Sequence, residues 1–207
     1  MNIKKTANLL INFTIKRLAE ILGIIVFSFG FLLLVSLLTY SPEDPNFIFP
    51  ENTQIINLLG FQGSYVSDLF FQAIGLISYL ISITFIITGI NIIRIKEFFL
   101  IIENTFFSIL YCIFGTLFLN HFYSNSFTLF INGNSGFVGS FINQSFLGSL
   151  VQSNQILFYY VLIFIILFLF LISINFSPRN FLIFIKKILV FFNKNDNKNY
   201  TDKSEII

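Results

Sequence analysis

LFFQAIGLISYLISITFIITGINI, Leu69 to Ile92, lies inside a run that carries no charge from Asp68 to Arg94. At 1.5 Å per residue such a run is long enough, as a helix, to cross a hydrocarbon core about 30 Å thick. Its many Ile and Phe residues would favour a strand in water. In lipid, an unpaired strand leaves every backbone N–H and C=O without a partner, so the helix is the form that survives. A transmembrane barrel would need segments of about ten residues alternating apolar with polar, and these runs are unbroken.

Three further stretches follow the same logic. The spans are placed at about 21–39, 69–92, 99–119 and 156–176, within a transmembrane domain of residues 21–176. The chain is 56% hydrophobic and only 11% charged, with 31 phenylalanines and no tryptophan. A soluble domain of 207 residues leaves too much of its area in water to bury that much apolar surface. The fold class is therefore an all-α membrane protein with four transmembrane helices arranged as two hairpins. Glu103 falls near the start of the third span, close enough to the end for its carboxylate to reach the interface.

The basic residues set an expected orientation. Lys4, Lys5, Lys16 and Arg17 precede the first span, Arg94 and Lys96 separate the second from the third, and the other six of the twelve follow the fourth. The loops from Tyr40 to Asp68 and from Asn120 to Gln155 contain none. By the positive-inside rule both chain ends are cytoplasmic (N-in, C-in) and the two lysine-free loops face outward. The first apolar run is longer than a signal-peptide core and no small-x-small site follows it, so it is expected to be retained.

Residues 1–20 read as a basic cytoplasmic segment. After the fourth span, residues 177–192 read either as a juxtamembrane helix lying in the interface or as a cytoplasmic extension of that span. Ser177 would be the cap and Pro178 would sit in the first turn. Residues 193–207 are polar and rich in Asn and Lys, and read as a disordered tail or the start of a linker.

The outer loops hold the distinctive motifs. At the end of the first span stands TYSPEDPNF, Thr39 to Phe47, where Pro42 cannot continue the helix and Ser41, Asp44 and Pro45 favour a tight turn. GFQGSYVSDLF, Gly60 to Phe70, has a counterpart in GFVGSFINQSF, Gly136 to Phe146. At a constant offset Gly60 matches Gly136, Gly63 matches Gly139 and Tyr65 matches Phe141. The match points to two hairpins of the same orientation, a parallel repeat. Tyr65, Val66, Leu69 and Phe70, like Phe141, Ile142, Ser145 and Phe146, fall at helical spacing. Each segment could be a short interfacial helix or simply an outer loop with a helix start.

Other chemistry is sparse. Cys112, the only cysteine, is expected to pack inside the third span, and His121, the only histidine, has no metal-ligand partners at suitable spacing. Ser28, Ser36, Ser78, Ser82, Thr84, Thr88, Ser108 and Thr116, with Gly23, Gly30, Gly75, Gly89 and Gly115, either mediate helix contact or bond their own backbone. No cofactor, metal or catalytic constellation is expected. The spans lack central charges and prolines, which favours an anchoring role over the alternative, a small channel or transporter subunit.

Tyr40-Ser41-Pro42-Glu43-Asp44-Pro45, with Gly60, Gly63, Asp68 and Gly75, resembles the N-terminal four-helix membrane domain of FtsK/SpoIIIE-type DNA translocases. Gly136, Gly139 and Gly148 are similar to that family's glycine-rich second outer loop. The resemblance covers roughly residues 20–176. It implies an anchor and assembly domain acting in cell division and chromosome segregation, in the bacterial inner membrane at the division septum. It also implies a homo-oligomer, division-machinery membrane proteins as partners, and an ATP-driven DNA motor in the same or another chain. No Gly-x-x-x-x-Gly-Lys-Ser/Thr occurs here, and Lys203-Ser204 follows Asp202 rather than glycine, so the chain is expected to be no enzyme by itself. Sequence-specific nucleic acid binding is not expected.

Overall fold

The computed structural model describes residues 3–45, 54–124, 133–179 and 186. Among these there are helices and turns and no strand. The helices are α1 (Ile3–Leu38), α2 (Gly60–Ile74), α3 (Ser78–Ile95), α4 (Phe99–Tyr123), α5 (Gly136–Asn143), α6 (Phe146–Ser153) and α7 (Gln155–Ser173). One 3₁₀ turn, Gly75–Ile77, joins α2 to α3. Four segments are long and apolar enough to cross a membrane: Asn8–Leu38, Gly60–Ile95, Phe99–Tyr123 and Gln155–Ser173.

Two of these differ from the sequence expectation. α1 starts at Ile3, because neither proline nor a turn signal interrupts its basic and apolar residues before Leu38. The second apolar segment starts at Gly60 rather than near Leu69, since the Gly- and Ser-containing stretch is itself helical. The second loop differs again. α5 ends at Asn143 because Ser145 is extended and caps α6, its Oγ accepting from Leu147 N–H at 3.3 Å. Ser145 and Phe146 are thus not continuous with α5.

α1 and α3 form the first antiparallel pair. Ala19, Gly23, Val26, Gly30, Leu33 and Leu37 are all buried, at alternating spacings of four and three, which is the seam of a heptad packing. A Cβ on Gly30 would lie 2.7 Å from Ile86 N, and one on Gly89 2.5 Å from Phe27 N, so the two backbones are in direct contact. At one end of this pair Glu20 accepts from Arg17 at 2.5 Å and Lys96 at 2.6 Å. Lys96 closes α3 in a left-handed conformation, φ 65°.

α4 and α7 form the second pair around Leu117, Val151 and Leu162. Ile77, Tyr111 and Cys112 make a core between α3 and α4, so Cys112 is the buried packing residue expected. A polar string also ties α3, α4 and the end of α7. Thr84 Oγ1 lies 3.0 Å from the Tyr111 hydroxyl and 3.3 Å from Ser173 Oγ. Asn104 Nδ2 donates to Thr88 Oγ1 at 2.8 Å and to Asn175 Oδ1 at 2.9 Å. Ser82, Ser108 and Thr116 instead bond carbonyls of their own helices, and Ser28 is exposed. Since α3 runs antiparallel to both α1 and α4, the two hairpins point the same way.

The unit from Met1 to Asn175 holds all of this. In the second unit, Phe176–Ile207, Pro178 and Arg179 are helical. The rest of the expected 177–192 helix, apart from Lys186, and the whole 193–207 tail lie outside the described residues.

Candidate functional site: the cap at the long-loop end

The connections α1–α2 and α4–α5 lie at one end of the bundle, with α2 and the turn after it between them. In the first, the backbone turns after α1, with Asp44 N–H donating to Ser41 O at 3.3 Å and Glu43 N–H to Ser41 Oγ at 3.3 Å. Pro42 stands exposed on the turn, while Asp44 and Pro45 are buried. The Asp44 carboxylate reaches across the loop. Its Oδ1 accepts from Ile56 N–H at 2.8 Å and its Oδ2 from Asn57 N–H at 2.9 Å. Charge-assisted bonds of this kind are about twice as strong as neutral ones.

Asn57 passes the connection on. Its Nδ2 donates to Ser36 O at 2.9 Å and its Oδ1 accepts from Leu59 N–H at 3.1 Å. Ser36 Oγ in turn donates to Gly63 O at 2.6 Å, and Ser64 Oγ to Pro45 O at 2.7 Å. Tyr40 completes the lock, its hydroxyl donating to Asp68 Oδ1 at 3.2 Å while its ring packs edge-on against Phe71, centroids 4.9 Å apart. Burial, then the charges of Asp68 and Asp44, push the Tyr40 phenol well above its ordinary pKa, so it remains a donor. Tyr40, Asp44 and Pro45 thus bind residues from Ile56 to Asp68.

The second connection repeats the local design. Gly60 and Gly136 both have φ +65° and both donate N–H to the carbonyl three residues back, Asn57 at 2.9 Å and Gly133 at 3.3 Å. Gly63 and Gly139 are both buried in the first turn of the helix that follows. A Cβ on Gly139 would lie 2.7 Å from Thr116 O of α4. One on Gly148 would fall on the Asn143 carbonyl oxygen, so α6 turns tightly off α5.

The second connection is joined backbone to backbone to the end of α2 and the 3₁₀ turn after it. Leu76 N–H donates to Asn134 O at 2.9 Å. Gly75 has φ +59°, and a Cβ there would fall on that same oxygen; a Cβ on Gly136 would lie 2.5 Å from the Ala73 carbonyl carbon. Only glycine fits two left-handed positions pressed against a neighbouring backbone. Asn134 Nδ2 holds Tyr123 O at 2.6 Å, Asn120 Nδ2 holds Ser135 Oγ at 2.9 Å, and His121 Nδ1 lies 3.4 Å from Asn143 Oδ1. His121 therefore packs and bonds within the cap.

Every motif residue expected from the sequence falls in this cap. Most are buried. Sequence reasoning missed Asn57, Asn134, Asn120 and Ser135. The only local signal was the Asn three residues before Gly60, which sets an Asx turn. Among the described residues no group of His, Cys, Asp and Glu is placed to hold a metal ion.

Four apolar helices in two like-oriented hairpins, joined at one end by a polar, glycine-stitched cap, define a multi-pass membrane domain. The family described as the 4TM region of DNA translocase FtsK/SpoIIIE matches residues 15–186, and the chain belongs to that family. Comparison with curated proteins and with solved structures found no match.

Proposed function

We propose that this chain is a membrane anchor and assembly domain acting in cell division and chromosome segregation, held in the bacterial inner membrane at the division septum. Both chain ends face the cytoplasm and the cap faces outward, a reading supported by the placement of all twelve basic residues away from the cap connections. The cap presents a contact surface to division-machinery membrane proteins, and the domain works as a homo-oligomer. The chain is not itself an enzyme. An ATP-driven DNA motor is supplied by the same or another chain.

The observation that carries this reading is the interlocking of Tyr40, Asp44 and Pro45 with the segment Ile56 to Asp68. An anchor needs a rigid partner surface more than a pathway, and these contacts spend the motif on rigidity. The hydroxyls of Thr84, Tyr111 and Ser173 likewise bond one another rather than line an opening. The test is a fluorescent fusion of the Asp44→Ala, Gly63→Val double variant in dividing cells. Loss of septal localisation with normal membrane levels is expected; unchanged localisation and division would sink the assignment.

A further inference from the structure

The cap carries a feature that rigidity does not use. Phe61 and Phe137 occupy matching positions of the two repeats, as do Tyr65 and Phe141. Each pair packs ring against ring at helical spacing, Phe61 and Tyr65 tilted with centroids 6.0 Å apart and Phe137 and Phe141 stacked at 6.2 Å. Phe61 is 41% exposed, Phe137 61% and Phe141 66%. The opposite sides of the same helices are buried through Gly63, Ser64 and Ser67, and through Gly136 and Gly139.

Their depth follows from what those buried sides touch. Gly139 meets Thr116 O, Ser135 meets Asn120 and Asn143 meets His121. Thr116 lies about 10 Å along the helix before Tyr123, where α4 ends. The stretch of α4 from Glu103 to Tyr123 is about 30 Å long, the thickness of the hydrocarbon core, so α5 lies against its last 10 Å or so. In the first repeat, Gly63 O and Asn57 Nδ2 both bond Ser36, in the last turn of α1. Both aromatic pairs therefore sit level with the ends of apolar spans rather than above them.

Charge agrees with that depth. Between Glu103 and Arg179 the sequence contains no Asp, Glu, Lys or Arg, so α5 and α6 join the lipid-facing surface of α7 without a charged break. Exposed Phe137, Phe141 and Phe146 continue into exposed Ile156, Leu157 and Tyr160.

We infer that the two aromatic pairs are seated in the lipid at the boundary between acyl chains and head groups, at equal depth, and fix the height of the cap in its leaflet. The partner is the lipid surface, as with the aromatic belts of membrane proteins generally. This goes beyond the division role and does not depend on it.

The chain has no tryptophan, so Phe61→Trp and Phe137→Trp each introduce a single reporter by a conservative exchange at an exposed position. The full chain is reconstituted in phosphatidylcholine vesicles whose lipids carry a nitroxide either near the carbonyl or at the chain end, with helix content checked by circular dichroism. Both reporters should be quenched more by the shallow label than by the deep one, to the same extent, at about 15 Å from the bilayer centre, half the core thickness. Iodide in the water should quench them little. Strong iodide quenching without lipid quenching would overturn the inference and leave the face in water for a protein partner. Stronger quenching by the deep label, or a clear difference in depth between the two reporters, would overturn it as well.

Discussion

Removing the Asp44 carboxylate is the sharpest perturbation of the cap. It accepts two backbone N–H groups, from Ile56 and Asn57, and is itself buried. Hydrogen bonds to a charged acceptor contribute about 1.5–3 kcal/mol each, so Asp44→Ala should cost about 3–6 kcal/mol. Asp44→Asn keeps one acceptor oxygen and should cost about half as much. For a domain of this size, each kcal/mol lowers Tm by about 2–4 °C, which gives a fall of about 6–24 °C for the alanine variant. Cys112 is the only cysteine, is buried, and packs with Ile77 in the turn that follows α2. A fluorogenic thiol reagent in detergent micelles therefore reports unfolding at one defined point close to the cap. An alanine variant melting within about 2 °C of the parent would refute the bridging role assigned to this carboxylate.

The same melting assay separates the glycines. Gly75→Ala, with φ +59° and a Cβ falling on the Asn134 oxygen, should cost several kcal/mol, whereas Gly60→Ala, with φ +65° and open space around it, should cost about 1 kcal/mol; equal losses would contradict the backbone joint. Tyr40 has a raised phenol pKa, so the folded state holds its proton more tightly than the unfolded chain. That contribution is fully present below the unfolded value of about 10 and is lost as pH rises above it. Tyr40→Phe should accordingly flatten the fall of Tm with pH above about 10. Asn104→Leu removes the bonds to Thr88 and Asn175 and should lower stability by about 1–3 kcal/mol, read as a Tm shift in the same assay.

The four apolar segments were legible because lipid demands long uncharged helices, and Leu69–Ile92 could be little else. The repeat was legible too, and Gly60 and Gly136 share a φ of +65° as their matched positions suggest. What the motif does was not. Ser41, Pro42, Asp44 and Pro45 read locally as a helix stop, which they are. The carboxylate's targets lie 12 and 13 residues further on, and no local pattern reports a contact at that range. Nor does sequence say which small polar residues reach across. Thr84 bonds Tyr111 on the neighbouring helix while Ser82, two residues away, bonds its own backbone, because only the helix rotation set by Gly23, Gly30 and Gly89 decides which side chain meets the partner helix. The helix start at Gly60 was hidden by glycine and serine, poor helix formers that here buy close packing.

The account's central claim is that the two loop motifs form one cap and that this cap is the domain's working surface. Gly136→Ala and Gly60→Ala test it most directly, being matched positions with the same φ but different surroundings. Both variants would be followed as fluorescent fusions at equal membrane levels in dividing cells. The account predicts that Gly136→Ala, which forces the second connection off Ala73, loses septal localisation while Gly60→Ala keeps it. Septal localisation of Gly136→Ala at the parent's level would contradict it.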